Sequence, residues 1–405
     1  MLRSKMKTAL LALSASLLVL ALISFPGIAV EASKDGLNTW WTIVFPSLLP
    51  FLILSEVLIG FGVVRFIGVL LEPVMRPLFK VPGVGGFVWA MGMVSGFPTG
   101  AKLTARMRQE GQLTRIEAER LASFSNASNP MFIIGAVSAA FFNNPKLGIL
   151  LAFSHYLANF TVGLCMRFYG REEKVTKKET KKASIKRAFR ELHHTRLKDK
   201  RPLGKLMGDA VSSSIQSLLM IGGFIILFSV INRLLLHLNI TSYIGELLKP
   251  IFSFFTFTGE LTIPLIAGIF EITTGSKLTS EVDTSLLHQA IITSVILGFS
   301  GLSVQAQVAS ILAQTDIRFK PFFFARLLQA TFAGVYTFLA WNWFNTLFLK
   351  ENAPAIAIPG FSENQKSFFE QAFETINMWG PVITILSLFI YIIVLWKRLA
   401  FRREI

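Results

Sequence analysis

Cysteine is almost missing from this chain: one residue, Cys165, among 405. That excludes a disulfide framework. Histidine is scarce as well, with five residues spread apart, so no Cys/His spacing suits a metal site. Charge is thin, at 16% Asp, Glu, Lys and Arg, against about 25% in soluble domains. Acid is the shorter half, with 24 Asp and Glu facing 40 Lys and Arg. The resulting +16 does not point to nucleic acid, because the basic residues stand between apolar runs rather than in one patch. No His, Asp or Cys cluster has catalytic spacing, which argues against an enzyme. Neither a cofactor nor a metal is expected.

What is present is apolar. Hydrophobic residues make up 52% of the chain, mean hydropathy is +0.56, and Phe alone contributes 38. A spanning helix needs about 20 apolar residues, and Lys and Arg collect on its cytosolic flank. Eight runs qualify, near 8–30, 41–64, 118–142, 147–168, 211–237, 287–313, 322–349 and 379–396. The first also carries the charged start and small residues of a signal peptide; its length favours an uncleaved span. Trp40, Trp41, Trp341, Trp343, Trp379 and Trp396 suit interfacial belts. The stretch 171–201, with Lys174, Lys177, Lys178, Lys181, Lys182, Lys186, Arg187 and Arg190, reads as a cytosolic loop attracted to anionic lipid. Both termini are then cytosolic.

Two further apolar pieces are too short to span. Gly83–Pro98 has basic residues on both flanks, and Leu261–Phe270 leads into a loop that is not positive overall. Arms of about 10 residues, or about 15 Å of helix, reach mid-bilayer and turn back. Re-entrant hairpins are expected, with tips near Phe97–Gly100 and Ile272–Gly275.

Shifted by 175 positions, Thr99-Gly100-Ala101-Lys102-Leu103-Thr104 meets Thr274-Gly275-Ser276-Lys277-Leu278-Thr279, and Phe124-Ser125-Asn126-Ala127-Ser128 meets Phe299-Ser300-Gly301-Leu302-Ser303. Two blocks at one spacing mark an internal repeat. The charge pattern puts the first block inside and the second outside, so the repeats are inverted. Inverted repeats build secondary transporters, with the substrate between them at the midplane. The fold expected is an all-α polytopic membrane protein of about eight spans and two hairpins. Its parts are a first helix and outer loop (1–39), repeat one (40–170), the basic loop (171–207), repeat two (208–349), and an outer segment with the last span and basic tail (350–405).

The second block of each pair falls mid-span. Asn126, Ser128, Asn129 and Pro130 interrupt one span; Gly298, Ser300, Gly301 and Ser303 interrupt the other. Irregular backbone survives at that depth only against protein or a watery cavity. Pro130 suits the start of a resumed helix with Asn129 as its cap, and Ser303 is placed to cap the other. Two resumed half-helices and two hairpin return arms would aim four positive helix ends at one cavity, favouring a small anionic solute. Candidate substrate residues are Thr99, Gly100, Lys102, Ser125, Asn126, Ser128, Asn129, Thr274, Gly275, Lys277, Ser300, Ser303, Gln305 and Gln307. Glu56 and Glu271 are intramembrane carboxylates, hence candidates for coupling or for bonding to hairpin backbone. His155 and His237 read as packed or interfacial groups.

The Ser95-Gly96-Phe97-Pro98-Thr99-Gly100-Ala101-Lys102 block, the Phe124-Ser125-Asn126-Ala127-Ser128-Asn129-Pro130 run and the later Glu271-Ile272-Thr273-Thr274-Gly275 and Gly298–Gln307 runs resemble the YlbJ (SpoVV) family of sporulation integral membrane proteins, which carries the nucleoside-recognition, or Gate, domain. The resemblance covers nearly the whole chain. It implies a multi-pass protein of endospore-forming bacteria, required in the mother cell for late spore maturation. It also implies similarity to carriers of dipicolinate across the outer forespore membrane. A nucleoside carrier, and a sporulation protein without transport activity, are the competing expectations.

Overall fold

The computed structural model describes residues 2–170, 184–199 and 201–346. The chain divides into two units, Met1–Asn342 and Trp343–Ile405. Of the second, only the end of one helix is described. The eighth expected span, the outer segment before it and most lysines of the basic loop lie outside the described residues.

Helix α1 (Leu2–Ser24) ends where the chain bends by 102° into α2 (Pro26–Thr39). The apolar run 8–30 is therefore bent at Pro26 rather than straight. Pro26 lacks an amide proton and pushes Phe25 out of helical geometry, so a new helix starts at the proline. A π-helical turn, Trp40–Val44, leads into α3 (Phe45–Gly60). Gly62, at φ +81°, then turns the chain by 83° into α4 (Val63–Phe79). Helix α4 buries Val64, Val69, Met75 and Phe79 on one side.

The first hairpin follows. Its arms are α5 (Val84–Ser95) and α6 (Thr99–Gln109), with the tip at Gly96–Pro98. Helix α7 (Arg115–Ser125) starts at a capping box between Thr114 and Glu117 and stops at four extended residues, 126–129. The span resumes as a π-helical segment, Met131–Phe141. Helix α8 (Leu147–Met166) closes the repeat. An aromatic core of Phe79, Phe124, Trp89 and Phe160 ties these elements together, with Phe79 stacked on Phe124 at 4.7 Å.

After α9 (Ile185–Lys198) the same plan recurs. It runs through α10 (Leu203–His237), α11 (Ile240–Phe254), hairpin arms α12 (Thr262–Phe270) and α13 (Ile272–Glu281), the broken pair α14 (Leu286–Phe299) and α15 (Gly301–Leu312), and α16 (Phe319–Phe344). The 175-residue shift carries the end of α4 at Phe79 onto the end of α11 at Phe254, and the end of α5 at Ser95 onto that of α12 at Phe270. The copies interlock reciprocally: α6 packs on α15, and α13 packs on the Met131–Phe141 segment.

Four described helices are long and apolar enough to cross a membrane, or six if each bent pair counts once. The third expected span is absent from that number because its break leaves two short halves. The fifth starts at Leu203, eight residues before the expected start. The second hairpin turns at Glu271, before rather than within Ile272–Gly275. Trp40 is no belt residue: it is buried, and its Nε1 donates to the Leu218 carbonyl at 2.9 Å.

Candidate substrate site

Both hairpin tips and both helix breaks meet around one small cavity of about 70 Å³. Gly96 and Phe97 come from the first tip, and Glu271, Ile272 and Thr273 from the second. Ser128, Asn129 and Phe132 come from one break; Ser303, Val304 and Gln307 from the other. Ile221 and Ile225 of α10 complete the wall. Two open cavities flank it. One, of about 440 Å³, shares Ile221 with the centre and holds Glu56, Thr99, Lys102 and Arg106. The other, of about 400 Å³, shares Glu271 and Thr273 with the centre and holds Asp35, Arg233, Thr274 and Lys277. Shared residues thus join the small centre to a larger cavity on each of two sides.

The breaks are held open by specific contacts. Asn129 Oδ1 accepts from the Phe132 amide at 2.7 Å, so it caps the resumed helix, and its Nδ2 donates to the Ser95 carbonyl at 3.4 Å. The Ser128 amide donates to His155 Nε2 at 3.1 Å, and Tyr156 donates to the Ser128 carbonyl at 3.0 Å. Arg326, fully buried, donates to the Asn126 carbonyl at 2.8 Å and to the Ser123 carbonyl. It thus supplies positive charge to the carbonyl end of α7, where a helix dipole is negative. In the other break Ser300 has φ +69° and Gly301 φ +67°. A serine in the left-handed region is uncommon and costs energy that the surrounding packing must hold.

Three side chains of the central wall carry buried polar atoms without a hydrogen-bond partner: Ser128 Oγ, Ser303 Oγ and Gln307 Oε1. Such groups are rare, because leaving one unmade costs about 1–3 kcal/mol. All three belong to residues that line the central cavity. Ser303 therefore does not cap α15, contrary to the sequence expectation; that helix start has no side-chain cap.

The expected site residues separate into groups. Ser128, Asn129, Ser303, Gln307 and Glu271 line the centre. Thr99, Lys102 and Glu56 line the 440 Å³ cavity, and Thr274 and Lys277 the 400 Å³ cavity. Gly100, Ser125, Asn126, Gly275, Ser300 and Gln305 line none of the three. The glycines serve close approach instead. A Cβ on Gly100 would stand 1.9 Å from the Ser125 carbonyl oxygen, and one on Gly275 would stand 2.1 Å from the Gly268 Cα. Gln305 donates to the Phe299 carbonyl at 3.2 Å across the break.

Of four helix ends expected to attract an anion, two are occupied by side chains. Asn129 takes one. Glu271 takes another: its carboxylate accepts from the Thr273 amide at 3.0 Å, and from the Thr274 amide and hydroxyl at 2.7 and 3.0 Å. The centre thus carries a carboxylate, and no Lys or Arg lines it. The cations lie in the flanking cavities. Lys102 Nζ donates to Ser213 Oγ at 3.1 Å and Ser217 Oγ at 2.9 Å, and pairs with Glu56 at 3.2 Å. Arg106 donates to the other Glu56 oxygen at 2.6 Å. Sequence reasoning missed Ser213 and Ser217. Their signal was the four-residue spacing of Ser213 and Ser217, one helical turn, in a polar stretch 212–217 at the start of an apolar run.

A family model described as nucleoside recognition, Gate, matches residues 41–142 and 218–315. The two matched stretches fall one in each repeat. The chain is 56% identical over 405 residues to the sporulation integral membrane protein YlbJ of Bacillus subtilis (strain 168), covering 98% of each chain. No solved structure matches it. The chain belongs to the YlbJ family of sporulation integral membrane proteins.

Proposed function

We propose that this YlbJ-family protein is a transporter of a small organic anion, with dipicolinate as its cargo during spore maturation. The observation that carries the reading is the constricted central cavity. Two hairpin tips and two helix breaks converge on it, buried polar atoms without partners face it, and a larger open cavity lies on either side. Broken helices cost stability, and a solute path between inverted repeats is what they ordinarily serve. The cavity with Lys102 and Arg106 faces the cytosol in this reading, because Arg65, Arg76, Arg106, Arg108 and Arg318 gather on that side. The reading keeps both termini in the cytosol, on the strength of the basic flanks Arg3, Lys5 and Lys7 and Lys397, Arg398, Arg402 and Arg403, and places the protein in the outer forespore membrane. The basic loop and α9 rest against anionic lipid. At about 70 Å³ the centre is much smaller than the cavities beside it, so in this reading transport parts the hairpin tips.

The test is dipicolinate flux into proteoliposomes of purified protein. Concentration-dependent, saturable uptake is expected; flux no faster than in empty liposomes overturns the reading. One observation favours a second cargo, a neutral nucleoside: the central wall carries the Glu271 carboxylate and no cation. Adding nucleosides to the same assay separates the two, since nucleosides would suppress uptake only if they share the path.

A further inference from the structure

In the 440 Å³ cavity, the Glu56 carboxylate bridges two cations. Lys102 and Arg106 lie one turn apart on α6, with side chains directed to the same point. Glu56 reaches that point from α3 and divides its oxygens: Oε1 to Lys102 at 3.2 Å, Oε2 to Arg106 at 2.6 Å. Ser213 donates to Oε1 as well, at 3.4 Å. The cations do not depend on Glu56 for partners. Lys102 keeps Ser213 and Ser217, and Arg106 keeps Glu110 at 3.0 Å. All three charged side chains are partly exposed to the cavity, at 13% for Glu56, 26% for Lys102 and 32% for Arg106.

We propose that Lys102 and Arg106 form a carboxylate-binding site on this side of the protein, and that Glu56 is its tethered occupant, displaced by the carboxylate of an incoming solute. The proposal rests on the transport reading for its purpose, though not for its chemistry. Exchanging one carboxylate for another leaves the charge facing the cations unchanged, so entry avoids the full cost of unpairing two charges. A tethered carboxylate competes at an effective concentration that short linkages raise to about millimolar or higher. The same competition releases the solute: Glu56 returns as the solute carboxylate departs. Without it, two cations facing a dianion would hold their cargo too firmly to turn over. Thr99, whose buried hydroxyl has no partner, lines the same cavity and offers a further hydrogen bond to an occupant.

The competitor model carries an unusual sign: removing a polar residue from the site must tighten binding. The experiment titrates purified full-length protein in detergent with isophthalate, an aromatic 1,3-dicarboxylate, and separately with dipicolinate, by calorimetry. Glu56→Gln should lower the dissociation constant about tenfold or more, while Lys102→Gln raises it. Glu56→Asp, which draws the carboxylate back by one methylene, should tighten binding by a smaller factor and guards against misfolding of the first variant. In liposomes, Glu56→Gln should lower both half-saturation and maximal rate. Unchanged or weaker binding in folded Glu56→Gln and Glu56→Asp overturns the proposal. Tighter isophthalate binding without dipicolinate flux in the wild type would leave the site standing and sink the cargo assignment alone.

Discussion

Thr161 and Tyr336 are 175 residues apart and share a hydrogen bond, hydroxyl to hydroxyl, at 2.9 Å. The same interval relates the repeated sequence blocks. A residue can touch its own repeat counterpart only beside the axis that relates the copies, so this pair marks where that axis passes, between α8 and α16. The reciprocal packing of α6 on α15 and of α13 on the Met131–Phe141 segment obeys the same two-fold relation. An inverted arrangement of the two repeats predicts which faces water reaches.

Cysteine substitutions at Lys102 and Lys277, on a Cys165→Ser background, should react with a membrane-impermeant thiol reagent from opposite sides of sealed vesicles. Labelling of both from one side would refute the inverted arrangement.

The hairpin glycines should be intolerant of a methyl group. Gly100→Ala places a Cβ on the Ser125 carbonyl oxygen, and overpacking of that kind costs about 1–3 kcal/mol. Gly135→Ala, with nothing near its Cβ position, is the control. Thermal unfolding in detergent should show a lower midpoint for the first and little change for the second. Equal midpoints would mean that the arms do not pack this closely.

Hydroxyls in the central wall should matter more than those beside it. Ser303→Ala removes an unpartnered group lining the cavity, whereas Ser300→Ala removes one outside it. A hydrogen bond contributes about 0.5–1.5 kcal/mol, so half-saturation for uptake should rise about two- to tenfold in Ser303→Ala. It should stay near wild type in Ser300→Ala. The reverse order would place the solute elsewhere.

Asn129→Ala should cost about 1 kcal/mol through loss of the cap on the Phe132 amide, and it also releases the Ser95 carbonyl at the first hairpin tip from the break. Hydrogen exchange at Met131–Ile133 should accelerate. Unaltered protection there would show that the cap contributes nothing.

Arg108 on α6 clamps Asp316, in the α15–α16 loop, through two hydrogen bonds at 2.8 and 2.7 Å. That guanidinium holds the Asp316 carboxyl below its ordinary value of 3.8. A carboxyl with a lowered folded value stabilises the fold above its unfolded value, and the contribution fades as pH falls through the folded one. The clamp is half-exposed, so its effect is small. Wild type and Asp316→Asn should differ in unfolding midpoint at neutral pH and converge as pH drops below about 3.8. A difference independent of pH would assign the effect to packing.

Much of this molecule is legible along the chain because it is local. Apolar length, hairpins too short to span and breaks at Asn126–Pro130 and Ser300–Gly301 depend on residues within a few turns of one another. The 175-residue period needs only matching letters. Partners are another matter. Lys102 reads as a free cation until folding sets Glu56, Ser213 and Ser217 around it, from two helices distant in sequence. Glu271 reads equally as a coupling group or a partner for hairpin backbone until the second hairpin turns and its carboxylate meets the amides of Thr273 and Thr274. The expected anion-attracting centre became a carboxylate-bearing one for that reason. Composition counts charges, but only the tertiary structure decides which of them already neutralise each other, because that depends on distances of a few ångströms between segments the sequence keeps far apart.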